Sequence, residues 1–146
     1  MLTAPLDRTV IARLVPHQGA MCLLDRALSW DAEGIACEAE SHRDPANPLR
    51  RDDGLPAVCG LEYALQAMAL HGALLADGRP QPAGYLSSLR DVTLGRERLD
   101  TVAGALRIRA TSLAAEAQGF IYRFTVEGEG AVLLSGQAAI ILPRVA

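Results

Sequence analysis

The chain has 146 residues, 50% hydrophobic and 21% charged, enough for one domain with a real core and short for two. A formal charge of -3 argues against nucleic acid as the main partner, and no apolar run reaches roughly 18 residues, a membrane span, without interruption by charge, glycine or proline. All 14 basic residues are arginine, which excludes lysine-based chemistry, including an internal aldimine to a pyridoxal cofactor.

Asp7 is placed to cap a short helix that runs to about Val15 and stops at Pro16. With Asp7, Arg8 and Arg13 among its first residues, the chain lacks the continuous apolar stretch of a signal peptide, so the cytoplasm is the expected compartment. Met21 to Leu28 and Gly34 to Glu40 have the apolar runs and alternation of strands. Ser41 to Gly54 is polar, carries two prolines and the Arg50-Arg51-Asp52-Asp53 cluster, and is a predicted loop. Pro56 then opens a long helix from Ala57 to about Ala76, built mostly of Ala and Leu. Asp77 to Pro82 breaks the chain with Gly and Pro. Four extended segments follow: Gly84 to Leu94, Thr101 to Leu113, Gln118 to Glu127 and Ala131 to Leu142, the last two joined by a turn at Gly128-Glu129-Gly130. One buried helix among antiparallel strands predicts an α+β domain over residues 1–146, its sheet wrapped around the helix. A sheet curled over one helix leaves edges and a face uncovered, so pairing with a second chain is expected.

Cys22, Cys37 and Cys59 are odd in number and widely spaced, which fits neither a disulfide framework nor a structural zinc site. No metal or other cofactor is called for. The conflict in the sequence lies on the long helix. A helix apolar nearly all round belongs inside a domain, yet Glu62 and, one turn on, Gln66 share a face of it. A carboxylate there is costly unless it is paired, hydrogen-bonded or used. His71 falls on the opposite side from Glu62 and suits a core or helix-end role. His42 enters the polar loop, where a lone histidine is usually solvated. His17 follows Pro16 at the corner between helix and strand, where either holding the turn or taking part in chemistry fits. Tyr63 and Met68 are predicted to pack. Cys59, one turn before Glu62, is a less favoured candidate nucleophile.

The block Leu14-x-Pro16-His17-x-x-x-Met21-x-Leu23-Leu24-Asp25-Arg26, followed by a helix bearing Glu62-x-x-x-Gln66, resembles the hotdog-fold 3-hydroxyacyl-acyl carrier protein dehydratases of the FabZ type. Those enzymes carry a Gly-His-Phe-Pro-Gly segment, whose histidine position falls here on Pro48. Its absence is similar to the divergent ApeP-like dehydratases of pigment pathways, whose Leu-Pro-Gly-x-x-Gly-Leu-Glu-x-x-x-Gln segment is matched by Leu55, Pro56, Gly60, Leu61, Glu62 and Gln66, with Ala57 in place of the first glycine.

The resemblance implies a hotdog fold and dehydration of a 3-hydroxyacyl thioester to the 2-enoyl thioester. It makes His17 the expected base and Glu62 the acid, its pKa raised by burial. Ala57, Val58, Cys59 and Gly60 at the helix start become the expected oxyanion cradle, with Gln66 orienting Glu62. The implied partners are an acyl carrier protein or CoA thioester and a second subunit, identical or related. Arg50, Arg51, Arg96 and Arg98 are candidate landing points for an acidic carrier. Thioester hydrolysis on the same fold, and a non-catalytic subunit supporting an active dehydratase, are the alternatives.

Overall fold

The structure, a computed structural model, describes residues 2–16, 19–79 and 84–143. Its elements are β1 (Leu6–Asp7), α1 (Arg8–Leu14), β2 (Arg26–Trp30), β3 (Gly34–Ala39), α2 (Gly60–Leu75), β4 (Tyr85–Leu94), β5 (Leu106–Glu116), β6 (Gly119–Gly128) and β7 (Ala131–Ile141). The strands form one antiparallel sheet in the order β1-β2-β3-β5-β6-β7-β4.

Local signals account for most boundaries. The Asp7 carboxylate accepts the Val10 N–H at 3.1 Å, capping α1. Glu129 and Gly130, at φ 51° and 73°, make the two-residue turn between β6 and β7, a geometry whose twist matches the flanking strands. The Arg51-Asp52-Asp53-Gly54 turn is closed by reciprocal hydrogen bonds of 2.8 and 2.9 Å between Arg51 and Gly54.

α2 lies across β3, β5 and β6. Tyr63, Ala64, Ala67, Leu70 and Ala73 are fully buried against a core that includes Ile108, Phe124 and Val126. Each large side chain sealed there contributes about 1.5–3 kcal/mol. Gly60 lets the helix start come this close, because a Cβ on it would stand 3.0 Å from Leu134 Cδ2 and 3.4 Å from Val126 Cγ2. The stretch Ala57–Leu75 has the length and hydropathy of a membrane span, but it is the core helix of this sheet.

The cover is incomplete. All ten residues of β4 are exposed, and Leu89 and Leu94 lie opposite the buried Ala138 and Leu134, on the face turned toward the helix side. Leu89, Val92 and Leu94 are 40%, 44% and 53% exposed. On α2 and its approach, Val58 and Leu75 are exposed, while Leu61, Leu65 and Ala69 are half-buried. Among the described residues, an apolar trough therefore lies open between the helix and the β4 edge.

Three expectations are corrected. Strand β2 starts at Arg26, not Met21, because Cys22, Leu23 and Leu24 turn inward as core side chains after a 3-10 turn at Gly19–Met21. The stretch Thr101 to Ala105 is not strand; β5 begins at Leu106. His42 is not solvated but fully buried, its Nε2 donating to the Val102 carbonyl at 3.0 Å.

Candidate active site

The 3-10 turn Ala57–Cys59 runs directly into α2, so the helix entrance carries the residues singled out by sequence. Leu55 and Ala57 anchor it. The Leu55 N–H donates to Asp100 Oδ1 at 2.8 Å, the Leu55 carbonyl accepts the Leu99 N–H at 2.8 Å, and the Ala57 N–H donates to Glu97 O at 2.8 Å. Arg98 clamps Asp100 in turn, its Nε 3.0 Å from Oδ1, and holds that carboxyl far below the ordinary range.

These bonds narrow the expected oxyanion cradle. Ala57 N–H is used by Glu97, Cys59 N–H by Pro56, and Gly60 N–H by Ala57 and Val58. Among the described residues, the N–H of Val58 is the one in this turn with no acceptor, on a side chain 54% exposed. Glu62 follows one turn later. It is half-buried in the single chain rather than buried, on the helix face bordered by Val58, Leu61 and Leu65. Among the described residues its carboxylate has neither a hydrogen bond nor an ion pair.

Gln66 does not orient Glu62. It is fully buried, and its amide is spent on the segment before β2, Oε1 accepting from Leu23 N at 2.9 Å and Nε2 donating to Met21 O at 2.6 Å. His71, fully buried, donates from Nε2 to the Asp31 carbonyl at 2.8 Å, leaving Nδ1 to accept from the Tyr122 hydroxyl at 2.7 Å. His71 is a core histidine, as its place opposite Glu62 predicts. His17 lies outside the described residues.

Cys59 is half-buried, and its thiol pKa is pushed up, first by burial and then by the Glu62 charge, with Arg51 opposing. A thiol held protonated is a poor nucleophile, which weakens the Cys59 alternative. Of the four candidate landing arginines, Arg96 is paired with Glu129 at 2.9 Å and Arg98 with Asp100. Arg50 donates to the Asp53 carbonyl at 3.1 Å, and Arg51 has no ion pair among the described residues.

Sequence reasoning missed a polar network on the inner side of the same helix turn. Tyr63 packs as predicted, but its hydroxyl meets Ser41 Oγ at 2.9 Å and Asn47 Nδ2 at 3.1 Å. The available signal was the tyrosine itself, since a phenol buried on an apolar helix needs a polar partner.

The ApeP-like family, described as ApeP dehydratase, matches residues 9–146. No curated protein matches the chain significantly. Among similar solved structures is the dehydratase heterocomplex ApeI:P from Xenorhabdus doucetiae, at 21% identity and TM-score 0.78 over 92% of this chain and 91% of that one. A thioesterase from Pseudomonas aeruginosa matches at 12% identity and TM-score 0.57 over 82% and 81%. An HP0420 homologue from Helicobacter felis matches at 18% identity and TM-score 0.63 over 100% and 95%. At these identities the structural likenesses speak for the fold alone, an antiparallel hotdog sheet around one long helix. The family match goes further: the chain belongs to the ApeP-like dehydratase family.

Proposed function

We propose that this protein dehydrates a 3-hydroxyacyl thioester, carried on an acyl carrier protein, to the trans-2-enoyl thioester. The observation that carries the reading is Glu62: a carboxylate with no partner among the described residues, at the start of a core helix, on a face lined with apolar side chains, in a dehydratase family. In the reaction the Cα–H bond breaks, its electron pair forms the C=C bond, and the β-hydroxyl leaves as water after taking a proton. The Val58 N–H, one turn before Glu62 and without an acceptor among the described residues, is the proposed donor to the thioester oxygen as charge builds on it. Glu62 protonates the leaving hydroxyl. His17 is the proposed base for the Cα proton, since His42 and His71 are buried and bonded elsewhere.

The uncovered trough between α2 and β4 supports a subunit partner that closes the site. The solved ApeI:P structure is named a dehydratase heterocomplex, which favours a related dehydratase chain over a second copy. Arg50 and Arg51 remain the proposed contacts for an acidic carrier, while Arg96 and Arg98 are already neutralised by carboxylates.

Thioester hydrolysis is the second reading, favoured by Pro48 standing where FabZ enzymes have histidine and by the thioesterase fold neighbours. Mass spectrometry of carrier-bound 3-hydroxyacyl and saturated acyl thioesters, with the protein alone and mixed with a related dehydratase subunit, separates the readings. Loss of one water from the hydroxyacyl substrate, with kcat reduced by roughly a hundredfold or more in Glu62→Gln, is the expected result. Full turnover by Glu62→Gln removes Glu62 from the mechanism. Release of the saturated acid establishes hydrolysis instead, and inactivity alone with turnover recovered only on mixing, unchanged by Glu62→Gln, leaves a non-catalytic subunit.

A further inference from the structure

Leu23 is held on both sides, its N–H by the turn of α2 that carries Glu62 and its carbonyl by Ser41. Its N–H donates to Gln66 Oε1 at 2.9 Å, and the same amide reaches back through Nε2 to the Met21 carbonyl at 2.6 Å. Its carbonyl accepts the Ser41 hydroxyl at 2.7 Å. That uses the single hydroxyl proton of Ser41, so in the 2.9 Å contact between them Tyr63 is the donor and Ser41 Oγ the acceptor. The Tyr63 oxygen in turn accepts from Asn47 Nδ2 at 3.1 Å, and Asn47 also donates to the Ser41 carbonyl at 2.9 Å. Each proton in the chain is used once. The direction of every bond is fixed.

Tyr63 and Gln66 are three residues apart and share the inner side of the helix, flanking the turn whose outer side presents Glu62. Stability alone does not call for this. A methionine would fill the volume of Gln66 without desolvating an amide, and replacing a satisfied buried polar set by apolar groups is often neutral. What two hydrogen bonds and a relay add is position. Met21 stands four residues after His17 in the chain, and Asn47 is the neighbour of Pro48, the position where FabZ enzymes carry histidine.

We propose that Gln66 and Tyr63 are positioning residues: through Leu23 and Asn47 they register the Met21–Leu23 segment and the Asp44–Arg50 loop against the helix turn of Glu62. Their effect on turnover rests on the dehydratase reading above; the register itself does not.

Two variants test it, with hydrogen exchange and steady-state kinetics as readouts. Gln66→Met keeps the volume and removes both bonds; Tyr63→Phe removes only the hydroxyl, so it serves even if the first variant folds poorly. Amide exchange at Met21–Leu24 is expected to rise by about tenfold in Gln66→Met while the rest of α2 stays protected. With 3-hydroxyacyl thioester, kcat is expected to fall by roughly tenfold to a hundredfold at nearly constant KM, because misplacement of catalytic groups costs rate rather than ground-state binding. Tyr63→Phe should show the same split with about a threefold loss, as one hydrogen bond of the set goes. Unchanged exchange in both variants overturns the clamp. Raised exchange with unchanged kcat overturns the positioning role and leaves a purely structural one. A wild-type protein that dehydrates nothing, alone or with its partner, overturns the assigned reaction instead, and the exchange arm still decides the register.

Discussion

Nine residues apart on one helix, His71 and Glu62 are polar groups handled in opposite ways. His71 is sealed between the sheet and the β2–β3 turn, and both of its ring nitrogens are bonded. Glu62 is only half-buried on its side of the helix, and neither of its oxygens is bonded to a described residue. A buried polar group left unpaired costs about 1–3 kcal/mol, so folding tolerates polarity in a core where it is fully satisfied. Where the group is unsatisfied at the rim of an apolar trough, the fold gains nothing from it. That difference marks His71 as architecture and supports the catalytic role proposed for Glu62.

The comparison breaks first at the uncovered side. If the trough is closed by a partner subunit, a charge on its β4 wall will be desolvated on assembly. Leu89→Asp, at a position 40% exposed in the single chain, should weaken association by about a hundredfold, near 3 kcal/mol. Sedimentation of the protein at micromolar concentration, with and without a related dehydratase chain, checks this. An unchanged sedimentation coefficient would show that β4 is not the joining edge, and Glu62 would then face solvent in the working protein.

The sealed side is expected to respond in stability alone. His71→Leu leaves the Tyr122 hydroxyl and the Asp31 carbonyl without their partner, in a site where Tyr122 is 2% exposed. The loss should be about 2–3 kcal/mol by denaturant titration. A Tyr122→Phe background should recover part of it, since the orphaned hydroxyl is then gone. A loss below about 0.5 kcal/mol would mean the histidine is not a satisfied core group, and the contrast with Glu62 would lose its reference.

What was legible in the sequence follows the same division. The helix from Pro56, the β6–β7 turn at Glu129 and Gly130, and the capping by Asp7 are local signals, and each is borne out. The opposition of His71 to Glu62 is a matter of helical geometry and also holds. Gln66 was misjudged because its partners, Met21 and Leu23, are more than forty positions away and are backbone atoms, which carry no residue-type signature. The cradle was overcounted for a similar reason. The tie of Ala57 to Glu97 depends on a long-range strand-like contact, and the 3-10 turn consumes two further N–H groups locally. His42 was placed in solvent by the polarity of its loop, yet Val102, sixty residues on, turns it inward.

His42 stands between the two extremes, and it gives the smallest and most selective test. It is fully buried like His71, but among the described residues only Nε2 is hydrogen-bonded and Nδ1 has no partner. Burial lowers its pKa from the ordinary 6.5, with the Arg43 charge adding to this and the Val102 and Gly104 backbone and the Glu40 charge opposing. The sign then follows. Well above pH 6.5, by about one unit or more, the imidazole is neutral folded and unfolded and contributes almost no pH dependence. Below it the unfolded chain takes up a proton that the folded chain refuses, so stability falls as pH drops through the window under 6.5, by up to about 1.4 kcal/mol per unit. Asp100, whose pKa is also lowered, loses its own contribution only in stronger acid, below the carboxylate range. His42→Gln keeps a donor for Val102 and removes the titration, while both proteins share every carboxylate. Subtracting the unfolding free energies of the two at about pH 8.5, 7.5 and 5.5 should give a difference that is nearly flat between the first two and shrinks at the last. Parallel curves across all three would place a proton acceptor on Nδ1 and put His42 with His71 among the fully satisfied groups.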